Sequence, residues 1–397
     1  MERIEPELVY PGKKSEKEIL SGQRAANLEK VKYFGKFYAL ENNWNNMLIF
    51  GDNLSVLKAL LADPDINGKV KLIYIDPPFA TNHDFKVGRL RTATISASEE
   101  DETAYEDRLL ESEYFEFLRE RLILMRELLA HNGSIYVHID TKVGHYVKII
   151  MDEVFGKEHF INDITRIKCN PKNFPRKAYG NIKDMILFYS KTDNYVWNDP
   201  REPYTWEDVE RLFPKIDKNG QRYTTVPLHA PGETKDGATG QPWRGISPPK
   251  GRHWRYPPDV LEELDKKGLI EWSGRGVPRL KIYADEFIKR GKRMQDIWEF
   301  KDPQYPSYPT EKNLEMLKVI IEASSNPGDI VLDAFAGSGT TLVAAETLGR
   351  RWIGIDNSPY AIEISIKRLQ KLENLKLFTL YNATGRSLPE TLQEFLQ

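Results

Sequence analysis

The 397-residue sequence has little cysteine, almost no net charge and no long apolar run. Cys169 is its only cysteine, which excludes a disulfide framework and a zinc site built from several cysteines. The formal charge of −2 excludes a uniformly basic surface, so a polyanionic partner must be met by a local basic face. The start of the chain lacks a signal-peptide core, and no apolar run is long enough to span a bilayer. The sequence therefore predicts a cytoplasmic protein.

The first informative stretch is a predicted buried strand over 72–75 that ends in Asp76-Pro77-Pro78-Phe79. Proline lacks an N–H and holds the residue before it in an extended conformation. We therefore expect Asp76 at the carboxyl end of the strand, where open α/β sheets bind ligands. A carboxylate and a backbone carbonyl can accept both hydrogens of an exocyclic amino group, and an adjacent ring can stack on a base. The alternative is an ordinary strand-to-loop transition, in which Asp76 serves as a cap and the prolines only end the strand.

The stretch before it completes a βαβ unit. A short apolar strand over 46–50 runs into Gly51-Asp52-Asn53, and leucines at helical spacing follow, with Asn53 or Ser55 available as the helix cap. A strand, a helix and a strand at this spacing predict parallel pairing. Asp52 should then lie beside Asp76. The alternative for Asp52 is an acid that interacts with the helix dipole.

The middle of the chain predicts two basic regions. Over 166–191 there are seven Lys or Arg residues against one acid, which suits contacts to phosphates or a solvated loop. From 195 to 303, prolines, glycines and tryptophans interleave with arginines, a composition that favours base recognition. The alternatives are a structural appendage or a dimerisation arm. No metal site is predicted, because His138 and His145 have no further ligand at suitable spacing.

The last informative stretch is a strand, glycine turn and helix over 328–341. A phosphate loop would need Lys where Thr340 follows Gly339, and a dinucleotide fingerprint would need Gly or Ala where Leu342 stands. The remaining option is a nucleoside ligand without a pyrophosphate. Asp356 follows Gly337 by nineteen residues, close to the offset of an acid that binds ribose hydroxyls. Upstream, Thr310 is predicted to cap a helix that carries Leu314, Leu317, Ile320 and Ile321.

Together, Asp76-Pro77-Pro78-Phe79 and the run from Asp333 to Thr341 resemble the β group of S-adenosylmethionine-dependent DNA amino-methyltransferases, particularly modification enzymes of restriction systems. The resemblance implies an α/β fold with a doubly wound, mostly parallel, circularly permuted seven-stranded sheet. It implies four segments: an N-terminal arm (1–45), a catalytic half (46–194), an inserted target-recognition domain (195–303) and a cofactor-binding half (304–397).

The resemblance also implies roles for individual residues. The implied catalytic residues are Asp76, Pro77, Pro78 and Phe79. The implied contacts to the cofactor, S-adenosylmethionine, are Asp52, Thr310, Lys312, Asp333, Phe335, Ala336, Gly337, Ser338, Gly339, Thr340 and Asp356. The residues expected to bind DNA are Arg166, Lys168, Lys172, Arg176, Lys177, Arg244, Arg252 and Arg255.

By this resemblance the chain methylates N6 of an adenine that is flipped out of duplex DNA, because Asp-Pro-Pro-Phe is typical of adenine N6 methylation and Ser-Pro-Pro-Tyr of cytosine N4 methylation. The rival hypotheses are a cytosine-N4 enzyme, an RNA or protein-amide methyltransferase of the same fold, and a non-enzymatic DNA-binding protein. Double-stranded DNA is the expected partner, and a separate restriction subunit and a homodimer stay open.

Overall fold

The computed structural model describes residues 7–22, 24–36, 44–78, 85–88, 91–93, 102–105, 111–171, 175, 177–234, 236–274, 276–304, 306, 308 and 311–397. The chain divides into a larger unit, Met1–Asp199 with Gln295–Gln397, and a smaller unit, Pro200–Met294. None of the helices in the described residues is long and apolar enough to cross a membrane.

The described strands are β1 (Glu29–Phe34), β2 (Asn46–Phe50), β3 (Val70–Ile75), β4 (Phe85–Gly88), β5 (Arg91–Ala93), β6 (Glu102–Tyr105), β7 (Leu129–Ile139), β8 (Phe160–Ile167), β9 (Lys183–Ser190), β10 (Arg201–Glu202), β11 (Lys215–Ile216), β12 (Arg222–Pro227), β13 (His229–Pro231), β14 (Arg252–Trp254), β15 (Ile270–Trp272), β16 (Pro278–Tyr283), β17 (Lys292–Arg293), β18 (Ile297–Trp298), β19 (Ile330–Asp333), β20 (Arg351–Asp356) and β21 (Phe378–Asn382).

The described α-helices are α1 (Glu16–Gly22), α2 (Asn53–Leu61), α3 (Glu111–Leu128), α4 (Thr141–Phe155), α5 (Trp206–Leu212), α6 (Pro258–Lys266), α7 (Ala284–Arg290), α8 (Leu314–Ser324), α9 (Thr340–Thr347), α10 (Pro359–Gln370) and α11 (Glu390–Leu396).

The larger unit is built on one sheet with the strand order β1-β21-β2-β20-β19-β3-β7-β9-β8-β18. The strands from β21 to β7 run parallel to one another, whereas β1 and β9 are antiparallel to their neighbours. The central strands are apolar and buried on both faces, as parallel sheets require. The predicted α/β class with a mostly parallel sheet is confirmed.

The sheet has ten strands in the described residues rather than the seven expected. Two of the three additional strands are β1 and β18 at its two edges, whose sequences give weak strand signals. Only Phe34 of β1 is buried, and β18 is two residues long. Edge strands of this kind lack the continuous apolar run by which buried strands are recognised.

Two predicted helix caps are wrong. The cap of α2 is Asp52, whose side chain accepts a hydrogen bond from the Ser55 N–H at 3.1 Å. The cap of α8 is Asn313, which accepts from the N–H groups of Glu315 and Met316. In both helices the cap is the residue directly before the first helical residue, a position that Asp and Asn favour. Thr310 itself lies outside the described residues.

The smaller unit has its own core. A four-stranded sheet, β11-β12-β16-β15, is accompanied by the pairs β10-β17 and β13-β14. The core side chains are Leu228, Trp243, Trp254, Leu261, Ile270 and Leu280. Here the prolines and glycines of the sequence lie largely in the connections between short elements.

Candidate active site at the carboxyl ends of β3, β19 and β20

Three carboxylates lie at one edge of the larger unit's sheet. The adjacent parallel strands β20 and β19 end at Asp356 and Asp333, and Asp76 directly follows the next strand, β3. Leu332 pairs with Ile73 in the register of β19 and β3. The structure brings the two distant segments together as the sequence predicted, because parallel strands end at a common edge. The roles of the individual residues stay predictions.

Asp76 forms an ion pair with Lys312 through Oδ2. The two side chains are 16% and 10% exposed, and Asp76 Oδ1 is shielded from solvent with no hydrogen-bond partner among the described residues. Buried polar atoms are nearly always paired, and exceptions occur at catalytic positions. Pro77 is buried and Pro78 half-buried beside this carboxylate, whereas Phe79 lies outside the described residues.

Asp333 is a buried carboxylate that organises the glycine turn. Its Oδ1 accepts from the Phe335 N–H at 3.0 Å, and its Oδ2 accepts from the Thr341 hydroxyl at 2.6 Å. Burial raises the pKa of Asp333 to about 7 against these hydrogen bonds, and the negative charge of Asp76 contributes to the rise. No ion pair with a cation is formed by Asp333 within the described part of the chain.

Asp356 fixes the turn from the other side. Its Oδ2 accepts from the Gly337 N–H and its Oδ1 from the Ser358 N–H, each at 2.8 Å. Burial raises the pKa of the Asp356 carboxyl, although its backbone hydrogen bonds oppose the rise. Gly339 has a φ of +71°, and a Cβ there would lie 2.7 Å from the Ser365 hydroxyl oxygen. Only glycine fits this position.

Arg368 supports the glycine turn, although the sequence alone does not predict a role for it. Its Nη1 donates to the Ser338 carbonyl at 3.0 Å, and to the hydroxyl oxygens of Ser338 and Thr340 at 2.8 Å each. Its Nη2 pairs with Glu311 at 3.0 Å. The hydroxyls of Ser338 and Thr340 are therefore held in place by α10. Ala336, also predicted to contact the cofactor, is buried, and its N–H donates to the Ile355 carbonyl at 3.0 Å.

Asp52 lies beside the turn in a second charged contact. Its Oδ1 pairs with Nη2 of Arg121 at 3.0 Å, and the Asp52 side chain is 56% exposed. Next to it, the Asn53 side chain donates to the Ala334 carbonyl at 2.8 Å. Phe335 packs against Phe117 with ring centroids 6.1 Å apart. Arg121 was not singled out in the sequence, because its partner lies 69 residues away.

The predicted DNA contact of Arg166 is contradicted by its burial. Arg166 is fully buried, its Nε donates to the Phe300 carbonyl at 2.8 Å, and it forms ion pairs with Asp184 at 3.5 Å and with Asp302. Lys168 is largely buried too, and donates to Asp184 at 2.6 Å. A side chain without exposed surface cannot reach a phosphate, so Arg166 is a structural residue.

Asp184 is also linked to β3, the strand that Asp76 follows, through a chain of polar side chains. It lies 3.2 Å from His138 Nε2, and His138 Nδ1 lies 2.8 Å from the Tyr74 hydroxyl. Burial lowers the pKa of His138, which keeps the imidazole neutral near pH 7. This line of polar side chains crosses β3, β7 and β9. The sequence alone does not indicate these contacts, because each of the three residues lies on a different strand.

The other predicted DNA contacts are exposed or lie outside the described residues. Lys177, Arg244, Arg252 and Arg255 are exposed, while Lys172 and Arg176 are not among the described residues. Arg244 forms ion pairs with Glu262 at 2.7 Å and Asp265 at 2.6 Å. Arg252 contacts the His229 ring at 3.1 Å, and Arg255 donates to the Pro227 carbonyl at 3.0 Å. Their role in binding DNA stays a prediction.

Comparison with known proteins identifies the family of this chain. A family described as DNA methylase (N6_N4_Mtase) matches residues 70–367. The chain is 44% identical over 367 residues to the type II methyltransferase M.EcaI of Enterobacter cloacae, covering 91% of this chain and 77% of that protein.

More distant relatives are also similar to this chain. The DNA adenine methyltransferase YhdJ of Escherichia coli is 26% identical, over 81% of this chain and 82% of that protein. The probable type III restriction-modification enzyme HindVI Mod subunit of Haemophilus influenzae is 25% identical over 82% of this chain. The chain spans 50% of that Mod subunit's length. From the family match and the 44% identity, the chain belongs to the N6/N4 DNA methylases, a family of DNA methyltransferases.

Proposed function

We propose that this chain transfers a methyl group from S-adenosylmethionine to N6 of a flipped-out adenine in duplex DNA. The observation that carries the proposal is the placement of Asp76 and Asp333 at the ends of adjacent parallel strands. At this common edge of the sheet, the Asp76 carboxylate can accept a hydrogen bond from an amino group, and the Asp333 carboxylate can bind a cationic ligand. The Asp-Pro-Pro-Phe sequence over 76–79 favours adenine N6 over cytosine N4.

The residues around the glycine turn fit S-adenosylmethionine. The α-ammonium group of its methionine part would supply a cation for Asp333, which is buried without one in the described residues. Asp356 would bind the ribose hydroxyls and Asp52 the adenine amino group. Gly337 and Gly339 allow a close approach to the backbone before α9. When bound, S-adenosylmethionine supplies an electrophilic methyl group on its sulfonium.

The chain's own residues then act on the adenine. N6 is inaccessible in a paired base, so the adenine leaves the duplex, and Phe79 stacks on it. Asp76 and the Pro77 carbonyl each accept one N6 hydrogen and draw the nitrogen toward a tetrahedral geometry, which localises its lone pair. The carboxylate also stabilises the positive charge that develops on N6. Positioning and electrostatics supply the catalysis without a cysteine nucleophile.

The pKa of Asp333 predicts how cofactor binding depends on pH. With a pKa of about 7, Asp333 is mainly protonated at pH 6 and mainly ionised at pH 7.5. Since a carboxylate favours an ammonium ligand, we expect the affinity for S-adenosylmethionine to rise about eightfold between these pH values. Isothermal titration calorimetry of the DNA-free protein measures this rise.

The control for this prediction is a pair of variants at opposite ends of β19. Asp333→Asn should bind more weakly and lose the rise with pH. Asp329→Asn, just before the opposite end of the strand, where its Oδ2 accepts from the Asn326 N–H at 2.8 Å, should keep the rise. An affinity of the wild type that stays constant from pH 6 to pH 7.5 would contradict the role of Asp333.

The reaction itself is tested by following the methyl group. The protein is incubated with S-adenosylmethionine labelled on the methyl carbon and, in separate reactions, with duplex DNA, RNA and protein. We expect label in DNA only, recovered as N6-methyldeoxyadenosine after digestion and mass spectrometry. Recovery as N4-methyldeoxycytidine would refute the adenine assignment, and label in RNA or protein alone would refute DNA as the substrate.

The proposal extends to partners and location. A DNA substrate places the activity in the cytoplasm, on the nucleoid. A separate restriction subunit is a further proposed partner, since relatives of this chain are named as Mod subunits of type III restriction-modification enzymes. Co-purification with such a subunit tests this second proposal independently of the methyl-transfer assay.

A further inference from the structure

The segment 311–313 is anchored at three consecutive positions. Glu311 pairs with Arg368, which holds the glycine turn. Lys312 pairs with Asp76. Asn313 caps α8 and donates to the Lys301 carbonyl at 2.9 Å. Because the residues on both sides are fixed, the Lys312 ammonium is held at the carboxylate by the backbone as well as by charge.

We propose that Lys312 is a positioning residue for methyl transfer, which holds the Asp76 carboxylate through Oδ2 and leaves Oδ1 to accept a hydrogen from the target amino group. The inference rests on the proposed function and deepens it. It also differs from the role implied by the family resemblance, in which Lys312 contacts the cofactor.

The two oxygens of Asp76 carry this argument. Oδ2 has an ammonium partner, whereas Oδ1 is buried and lacks a hydrogen-bond donor among the described residues. The proposed reaction requires only one hydrogen to be accepted by Asp76, since the Pro77 carbonyl accepts the other. An ammonium group has hydrogen-bond donors but no acceptor, so Lys312 cannot itself accept the N6 hydrogen in place of Asp76. Because it pairs with Oδ2 only, Lys312 can stay in place during the reaction.

The charges around Asp76 show what the cation does there. Asp333 on β19 and the neutral His138 on β7 lie close enough for the charge of Asp76 to affect their pKa values, as does Tyr74 on β3. Asp333, with a pKa of about 7, is the acidic neighbour among these three, whereas His138 and Tyr74 are uncharged near pH 7. Without Lys312, the Asp76 carboxylate, whose side chain is 16% exposed, would lie beside Asp333 without its cation, and a second carboxylate nearby favours the protonated form of such a group. A protonated Asp76 is a weaker acceptor and stabilises less positive charge on N6.

The test compares Lys312→Met, which keeps the length of the side chain, with Lys318→Met. Lys318 pairs with Glu315 on the exposed side of α8 at 2.9 Å and serves as the matched control. For each protein, calorimetry gives the dissociation constant for S-adenosylmethionine without DNA, and rapid quench gives the single-turnover rate at saturating cofactor and DNA from pH 6 to pH 9.

We expect Lys312→Met to lower the single-turnover rate at pH 7 about 30-fold, with the cofactor dissociation constant within about threefold of the wild type. The deficit should shrink toward pH 9, where neighbouring carboxylates without a compensating cation ionise. Lys318→Met should behave as wild type. An increased dissociation constant with a normal rate at saturation would instead assign Lys312 to the cofactor and overturn the proposal.

The wild-type reaction in the same experiment separates this inference from the proposed function. If wild-type protein transfers no methyl group to DNA, the proposed function fails. If wild type is active and Lys312→Met has the same rate and the same pH profile, only the positioning role of Lys312 fails. A uniform deficit at every pH with a lower melting temperature would indicate a structural role and would also overturn it.

Discussion

Asp76→Ala is expected to lower the single-turnover rate of methyl transfer about 10³-fold at saturating S-adenosylmethionine, while the dissociation constant for the cofactor changes little. The substitution removes the acceptor for one N6 hydrogen and the negative charge that stabilises the developing positive charge on N6. Losing one fixed polar contact of this kind lowers enzymatic rates by about 10²–10³-fold. The measurement is rapid quench with labelled cofactor, together with calorimetry of the DNA-free protein.

The loss of activity must be separated from a loss of folding, because Asp76→Ala removes the carboxylate that pairs with the Lys312 ammonium, whose side chain is 10% exposed. The double variant Asp76→Ala with Lys312→Met removes both charges and should be as inactive as the single variant while melting at a higher temperature. Asp65→Ala, at a side chain that is 86% exposed, is the control and should be fully active. Methyl transfer by folded Asp76→Ala at the wild-type rate would refute the catalytic assignment.

The fold was largely predictable because its central strands are continuous apolar runs. The strands β3, β19 and β20 are buried on both faces, and each is followed by an acid or ends in one. Such runs identify a parallel sheet, and the position of the acids after them places a site at one edge. The edge strands were not predictable in the same way, since β1 alternates little and β18 pairs through two residues only.

The candidate site was predictable wherever a residue's role follows from its place on a strand or turn. Asp76, Asp333 and Asp356 belong to this group. The partners of charged side chains were not predictable, because they are set by tertiary packing between distant segments. Lys312 meets Asp76 from 236 residues away along the chain, and Arg121 meets Asp52 from 69 residues away. Nothing local in the sequence identifies these pairs.

Arg166 is the residue for which this limit has the largest consequence. It begins the basic stretch 166–191, which predicts a phosphate contact, yet its guanidinium is fully buried between Asp184, Asp302 and the Phe300 carbonyl. We expect Arg166→Met to lower the free energy of unfolding by about 3–5 kcal/mol, because it leaves the buried Asp184 with less compensating charge. Urea denaturation followed by tryptophan fluorescence measures the change.

Lys177→Met provides the matched comparison from the same basic stretch, since Lys177 is exposed. A phosphate contact there predicts unchanged stability, weaker DNA binding, and a salt dependence of the DNA affinity that is shallower by about one unit in the log–log slope. Folded Arg166→Met should keep the wild-type slope. If instead Arg166→Met retained full stability and lost DNA affinity with a shallower slope, Arg166 would have to reach the phosphates. Its burial against Asp184 and Asp302 would then not describe the DNA-bound protein.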